Sequence, residues 1–343
     1  MSRQARDLKE FEPNILIVGI LAPYNKTSNI DSYFEEFENL VRSRGLGYTK
    51  SIFIKLREID SATFITKGKL EELGEICKTE NIDQVIISEP LTPQQERNLR
   101  DYLHCAVFDR TRLILEIFEQ NALSAEGKTQ VRIAMLQHQK SRLAGKGLHL
   151  SQQVGVMGLR GGFGETAKEK ERRHIESEIL KLKGQLKKIQ QVRDTQRKMR
   201  LEKGELRISL IGYTNAGKST ILNGLTHSNV LAEDKLFATL DTTTRQLFLE
   251  GKKHGVISDT VGFIQQLPHS LIDAFKSTLS ELSHAHVLLH VIDISDQNWE
   301  EHMHVVETIL QELEVTGKRI IYVFNKTDKI ELTPALEMRI KKY

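Results

Sequence analysis

The residues with the most chemistry in their spacing are Gly212-Tyr213-Thr214-Asn215-Ala216-Gly217-Lys218-Ser219, followed by Thr220. Two glycines bracket four residues and run into Lys-Ser, the G-x4-G-K-[ST] pattern of a loop that cradles phosphates. Glycines let backbone N–H groups converge on phosphate oxygens, and the N-terminus of a following helix adds positive potential. Lys218 is long enough to reach β- and γ-phosphates, and the Ser219 hydroxyl suits Mg²⁺. The pattern requires a strand before it and a helix after it. The apolar run at 206–211 (LRISLI) supplies the first and residues 220–225 the second.

Two more motifs follow, each at the carboxyl end of an apolar run. Residues 256–259 lead into Asp259-Thr260-Val261-Gly262. An aspartate there can hold Mg²⁺ through water, and Gly262 can turn its N–H toward a γ-phosphate. Residues 319–324 (RIIYVF) lead into Asn325-Lys326-Thr327-Asp328. The Asp328 carboxylate can accept from guanine N1–H and the exocyclic amine. Adenine has an acceptor at N1 and lacks that amine, so it would leave the carboxylate unpaired. A strand at 287–293 and a helix around 299–313 fill the interval. One such motif can end any strand for structural reasons alone. Three in this order, each after a strand, specify a guanine-nucleotide site.

The position after Gly262 holds the water-orienting glutamine in Ras-like enzymes. Here it is Phe263, which neither donates nor accepts. Gln265 and Gln266 are close in sequence, but neither is assigned the role. No catalytic side chain is therefore assigned, and slow intrinsic hydrolysis is expected. Resemblance to GTPases with an apolar residue at the glutamine position makes Asn215 a candidate to hold K⁺ beside the phosphates, against a plain role in loop hydrogen bonds.

Three stretches of chain must position these residues: 1–110, 111–203 and 204–343. The first alternates β-rich runs (15–20, 51–56, 85–88, 105–108) with amphipathic segments (30–41, 69–77, 93–103). That alternation predicts a small α/β domain with a mostly parallel sheet. In the second, 111–143 has no proline and only Gly127 as a breaker, so it reads as one long helix or two. Residues 144–165 hold seven glycines, a third of all those in the chain. Residues 166–203 then place Ile175, Ile179, Leu182, Leu186 and Ile189 at heptad spacing. The expected result is a helical hairpin with a Gly-rich tip and an arm roughly 55 Å long. The third stretch is the nucleotide-binding α/β domain.

Composition agrees with a folded chain. The 343 residues are 39% hydrophobic and 28% charged, enough to build sizeable cores and too ordinary for a collagenous or disordered protein. Two cysteines, Cys77 and Cys105, cannot frame a disulfide scaffold and read as small buried hydrophobes. No window reaches the roughly 18 apolar residues of a membrane span, and a cytoplasmic monomer is expected. The net charge of +3 hides an asymmetry: residues 166–203 carry 13 Lys/Arg against 6 Asp/Glu, a net of +7, leaving −4 elsewhere. A solvated helix mixes both signs; this bias suits a phosphate backbone. Lys146, Arg160, Lys181, Lys183, Lys187 and Lys188 are the RNA-contact candidates.

The chain resembles the HflX family of GTPases over nearly its whole length. Phe237-Ala238-Thr239-Leu240-Asp241 with Thr242-Thr243-Thr244-Arg245 resembles that family's first switch, and 259–268 (DTVGFIQQLP) its second. Residues 158–166 (GLRGGFGET) are similar to its glycine-rich loop, and 63–72 (TFITKGKLEE) to its N-terminal signature. The resemblance implies that Ser219 and Thr239 ligate Mg²⁺, with 237–241 closing over the nucleotide. It also implies GTP hydrolysis coupled to the large (50S) ribosomal subunit and its rRNA, in the regulation of translation or ribosome state. Thr242 stands where the family often has proline. The chain ends at Tyr343, before the Ser-Ala loop that packs on guanine and before a further strand and helix, so a truncated GTPase domain with weaker nucleotide affinity is expected. Two other functions fit the same residues: a GTPase of RNA modification or processing, and an RNA remodeller with an ATP site around Lys67-Gly68-Lys69 or the 158–164 glycines.

Overall fold

The computed structural model describes residues 13–25, 27, 29–144, 167–202, 205–226, 235–249, 251–268, 271, 279 and 281–343. The chain divides into two units, 1–113 and 114–343.

In the first unit β1 (Ile15–Leu21) is buried at all seven positions, as a strand covered on both faces must be. It lies inside a parallel sheet of order β2-β1-β3-β4, with β2 (Lys50–Lys55), β3 (Gln84–Ile87) and β4 (Ala106–Asp109). The crossovers are α1 (Ile30–Ser43), α2 (Lys67–Thr79) and α3 (Pro93–Leu103). Local chemistry starts two of them. Asn29 caps α1 by accepting from Ser32 N, and Thr92 with Gln95 forms a reciprocal capping box ahead of Pro93. Strand ends differ from the sequence expectation by a residue, the usual error for boundaries. Cys77 and Cys105 are free thiols inside the core. At the carboxyl ends of β1 and β3, the fully buried Glu89 accepts from the hydroxyls of Tyr33 (2.7 Å) and Tyr24. Burial pushes the Glu89 carboxyl above its ordinary range.

α4 (Arg110–Asn121) carries the chain into the second unit. There α5 (Ala125–Ala144) and α6 (Ala167–Glu202) run antiparallel. Ion pairs mark the register: Glu126 with Arg193 at 2.9 Å, Arg132 with Glu178 at 3.0 Å, and Lys140 with Glu176 at 2.9 Å. The heptad seam faces inward: Ile175 is buried and Ile179, Leu182, Leu186 and Ile189 are half-buried. Lys181, Lys183, Lys187 and Lys188 are exposed. The glycine-rich tip, with Lys146 and Arg160, lies outside the described residues.

The rest of this unit is built on a five-stranded sheet of order β6-β7-β5-β8-β9, with helices that include Lys218–Thr226, Trp299–Glu312 and Pro334–Ile340. β5 (Leu206–Gly212), β7 (Lys252–Asp259), β8 (Val287–Asp293) and β9 (Arg319–Asn325) are parallel, and β6 (Thr243–Leu249) is antiparallel to β7. β6 was not expected from the sequence, where 242–244 read as switch loop and only 256–259 as strand. As an edge strand β6 is covered on little of its surface, with Leu247 buried and Phe248 exposed, so its apolar signal is weak.

Candidate nucleotide site

The site is built where β5, β7 and β9 end. β5 turns at Gly212 through residues 213–217 into α7 (Lys218–Thr226). Gly217 has a φ of +95°, and a side chain there would place its Cβ 2.1 Å from Asn325 Nδ2. Only glycine meets both demands. Asn215 adopts the left-handed conformation at φ +60°, a choice asparagine tolerates better than most residues.

Lys218 is buried and folds back over the loop, donating to the carbonyls of Tyr213 (2.7 Å) and Gly212 (3.2 Å). Burial pulls its ammonium pKa down to about 8, opposed by the nearby Asp259 carboxylate. The carbonyls hold the amine where phosphate oxygens would replace them.

Three oxygens converge beside it. Ser219 Oγ donates to Asp259 Oδ2 at 2.5 Å and lies 2.8 Å from Thr239 Oγ1. Burial raises the Asp259 carboxyl, while Lys218, Ser219 and the Thr260 N–H hold it down. Hard oxygen donors clustered this closely fit a small divalent cation such as Mg²⁺. Thr214 Oγ1, also in the cleft, is buried with no hydrogen-bond partner.

The structure places the sequence candidates unevenly. The cleft is lined by Thr214, Asn215, Gly217, Lys218, Ser219, Thr220, Phe237, Ala238, Thr239, Thr260 and Gly262. Ala216, Leu240 and Val261 are core residues, and the Tyr213 ring stacks on His302 at 3.8 Å. Asp241 is turned away from the cleft, onto Leu123 and Ser124. Phe263 is buried, and its backbone joins the two motifs: its carbonyl accepts from Thr214 N (2.8 Å) and its N–H donates to Gly212 O (3.2 Å). Gln265 is directed to Glu301, at 3.3 Å. Lys235 also lines the cleft. Motif reading passed over it, because a lone lysine two residues before the switch phenylalanine carries no pattern.

The last motif is attached to the first. Asn325 Nδ2 donates to Ala216 O at 2.8 Å, and Lys326 pairs with Asp293 at 2.6 Å. Asp328 is exposed in a short 3₁₀ turn (Thr327–Lys329).

Comparison with known proteins gives this geometry a family. Three family models match in sequence order: a GTP-binding GTPase N-terminal domain (31–119), a GTP-binding GTPase middle region (121–200) and a 50S ribosome-binding GTPase domain (207–326). The GTPase HflX of Magnetococcus marinus is 45% identical over 89% of this chain and 71% of that protein. The chain belongs to the HflX family of GTPases. The HflX protein of Escherichia coli is 41% identical over 87% of this chain and 70% of its own length. Among solved structures, the complex of SsGBP with GDP is 25% identical, with a TM-score of 0.50 over 96% of this chain and 86% of that one. This member of the HflX family is an α/β protein with a parallel N-terminal sheet, a helical hairpin and a mixed GTPase sheet. Among the described residues no helix is long and apolar enough to cross a membrane.

Proposed function

We propose that this chain binds GTP with Mg²⁺, hydrolyses it slowly, and uses the nucleotide to govern association with the large ribosomal subunit. The observation that carries the first part is the meeting of Ser219, Thr239 and Asp259 beside the buried Lys218. Ser219 and Thr239 would hold the ion directly, with Asp259 behind them. Bound there, Mg²⁺ would neutralise charge on the β- and γ-phosphates. The loop N–H groups and the start of α7 orient the phosphates, Lys218 exchanges its carbonyl partners for phosphate oxygens, and Asp328 selects guanine.

Slow hydrolysis follows from what surrounds the γ-phosphate position. Phe263 packs inward and Gln265 reaches Glu301, so neither stands ready to orient water. Asn215 in the cleft is the candidate for a K⁺ that adds positive charge; equal hydrolysis rates in K⁺ and Na⁺ would remove it from this role.

The second part rests on the exposed lysines of α6 and on the family model's description as a 50S ribosome-binding GTPase. Lys181, Lys183, Lys187 and Lys188 offer charge to RNA phosphates. The test is sedimentation with purified ribosomal subunits, with GDP or a non-hydrolysable GTP analogue. Co-migration with the large subunit should depend on the nucleotide and vanish when the four lysines become glutamates. Binding that survives the charge reversal would refute the arm as the contact.

A further inference from the structure

The first switch is held from outside the nucleotide-binding sheet. Phe237 packs edge-on against Phe118 of α4, ring centroids 4.8 Å apart, and Asn121 Nδ2 donates to its carbonyl at 2.7 Å. Phe237 has a φ of +57°, a strained choice for an aromatic residue. On the other side of Thr239, the Asp241 carboxylate accepts from the N–H groups of Leu123 and Ser124, both at 2.7 Å, and from Ser124 Oγ at 2.5 Å. Ser124 in turn caps α5, accepting from Gly127 N at 2.9 Å. Arg193 of α6 donates to Thr242 Oγ1 at 3.1 Å while pairing with Glu126 of α5. Thr239 is therefore suspended between two anchors that belong to the helices.

Gly127 shows how close the fit is. A Cβ at this position would lie 2.1 Å from Asp241 Oδ1. A glycine in the first turn of a 20-residue helix is a poor choice for the helix itself. The carboxylate of the switch occupies the space its side chain would need.

We propose that Asp241 is a positioning residue for the magnesium site: its seat on Leu123 and Ser124 holds Thr239 at Ser219 and Asp259, and so couples nucleotide to the helical arm. The inference rests on the proposed Mg²⁺–GTP function of the cleft. Coupling of this kind is reciprocal. Whatever shifts α5 and α6 changes the affinity for Mg²⁺ with GTP, and Mg²⁺ with GTP changes the arm's affinity for its partner by the same factor.

The experiment is a Mg²⁺ titration of the full chain with a fluorescent non-hydrolysable GTP analogue. Affinity for GDP without Mg²⁺ and the melting temperature are measured alongside. Gly127→Ala and Asp241→Ala should each raise the Mg²⁺ needed for half-maximal retention about tenfold. GDP affinity without Mg²⁺ should stay within about twofold even where the displaced Asp241 carboxylate lowers the melting temperature. Asp241→Asn, which keeps an acceptor oxygen, should fall between. Variants that titrate like the parent overturn the coupling and leave the GTPase function standing. Loss of Mg²⁺-free GDP affinity in step with melting temperature overturns it as a merely structural contact. A parent chain with no Mg²⁺-dependent retention of the analogue overturns both.

Discussion

Asn325 Nδ2 donates to the carbonyl oxygen of Ala216 at 2.8 Å, which ties the turn at 325–328 to the loop at 212–219. The two motifs are 109 residues apart in the chain and share one hydrogen bond at the site. On the proposed function, this bond links base recognition to phosphate binding, so a displacement of the loop is felt at the turn.

Gly217 sits under that bond, and Gly217→Ala should be among the most damaging single changes. The left-handed φ costs an L-residue about 1–2 kcal/mol, and the new Cβ meets Asn325 Nδ2 at 2.1 Å. GDP affinity measured by calorimetry should fall by roughly a hundredfold, about 3 kcal/mol. Melting temperature should fall as well, since the neighbouring Ala216 belongs to the core.

Nucleotide affinity should weaken in alkali. Lys218 in the free site titrates at about 8, and phosphate contact favours its charged form. Below pH 8 the ammonium is already charged and affinity is flat. Above it, binding must take up a proton, so affinity should fall up to about tenfold per pH unit. Lys218→Met should bind weakly with no such slope. A flat profile for the parent between pH 7 and 9.5 would contradict the buried ammonium.

His290 on β8 should make the fold sensitive to acid. Its ring is buried, with Nδ1 lacking a hydrogen bond, and burial together with Lys218 lowers its pKa to about 4. Between pH 6.5 and 4 the unfolded chain takes up a proton that the folded chain refuses. Stability from the neutral ring is thus full above 6.5 and is lost as pH falls through that window, by on the order of 3 kcal/mol. Urea unfolding at pH 7.5 and 4.5 should show this loss, and His290→Leu should reduce it.

Asp328→Asn should move preference from guanine toward xanthine nucleotides. The amide oxygen can still accept from N1–H, but the amide NH₂ offers a donor where guanine's exocyclic amine needs an acceptor, and xanthine supplies the matching carbonyl at that position. GDP affinity should drop by about 2–3 kcal/mol while XDP binding appears. Equal loss of both nucleotides would contradict base recognition by this side chain.

Much of the site was legible because its chemistry is local. Gly212 to Ser219 must follow a strand and open a helix, and the strand is apolar enough to recognise. The parallel strand β1 is a continuous apolar run, and β5, β8 and β9 are rich in apolar residues for the same reason. β6 was not legible, since its first four residues, Thr243 to Gln246, are polar and leave only the short apolar stretch Leu247 to Leu249. The basic face of α6 was visible as a charge bias, and its heptad seam as a spacing. The extent of the helix followed from the absence of proline.

By itself the sequence determined the nucleotide class, the three motifs and the helical arm, because each depends on residues a few positions apart. Only the tertiary structure decided what the switch is tied to. Asp241 and Ser124 are 117 residues apart, and no local preference links them. The sequence marked Gly127 as a breaker in a helical stretch and marked Asp241 as a nucleotide contact. Folding brings the two together, and one explains the other: the glycine leaves room for the carboxylate. Phe263 likewise looked like a missing catalytic group. In the fold it is a buried side chain whose backbone joins two motifs. Distance in sequence, set against contact in space, separates what could be read from what had to be seen.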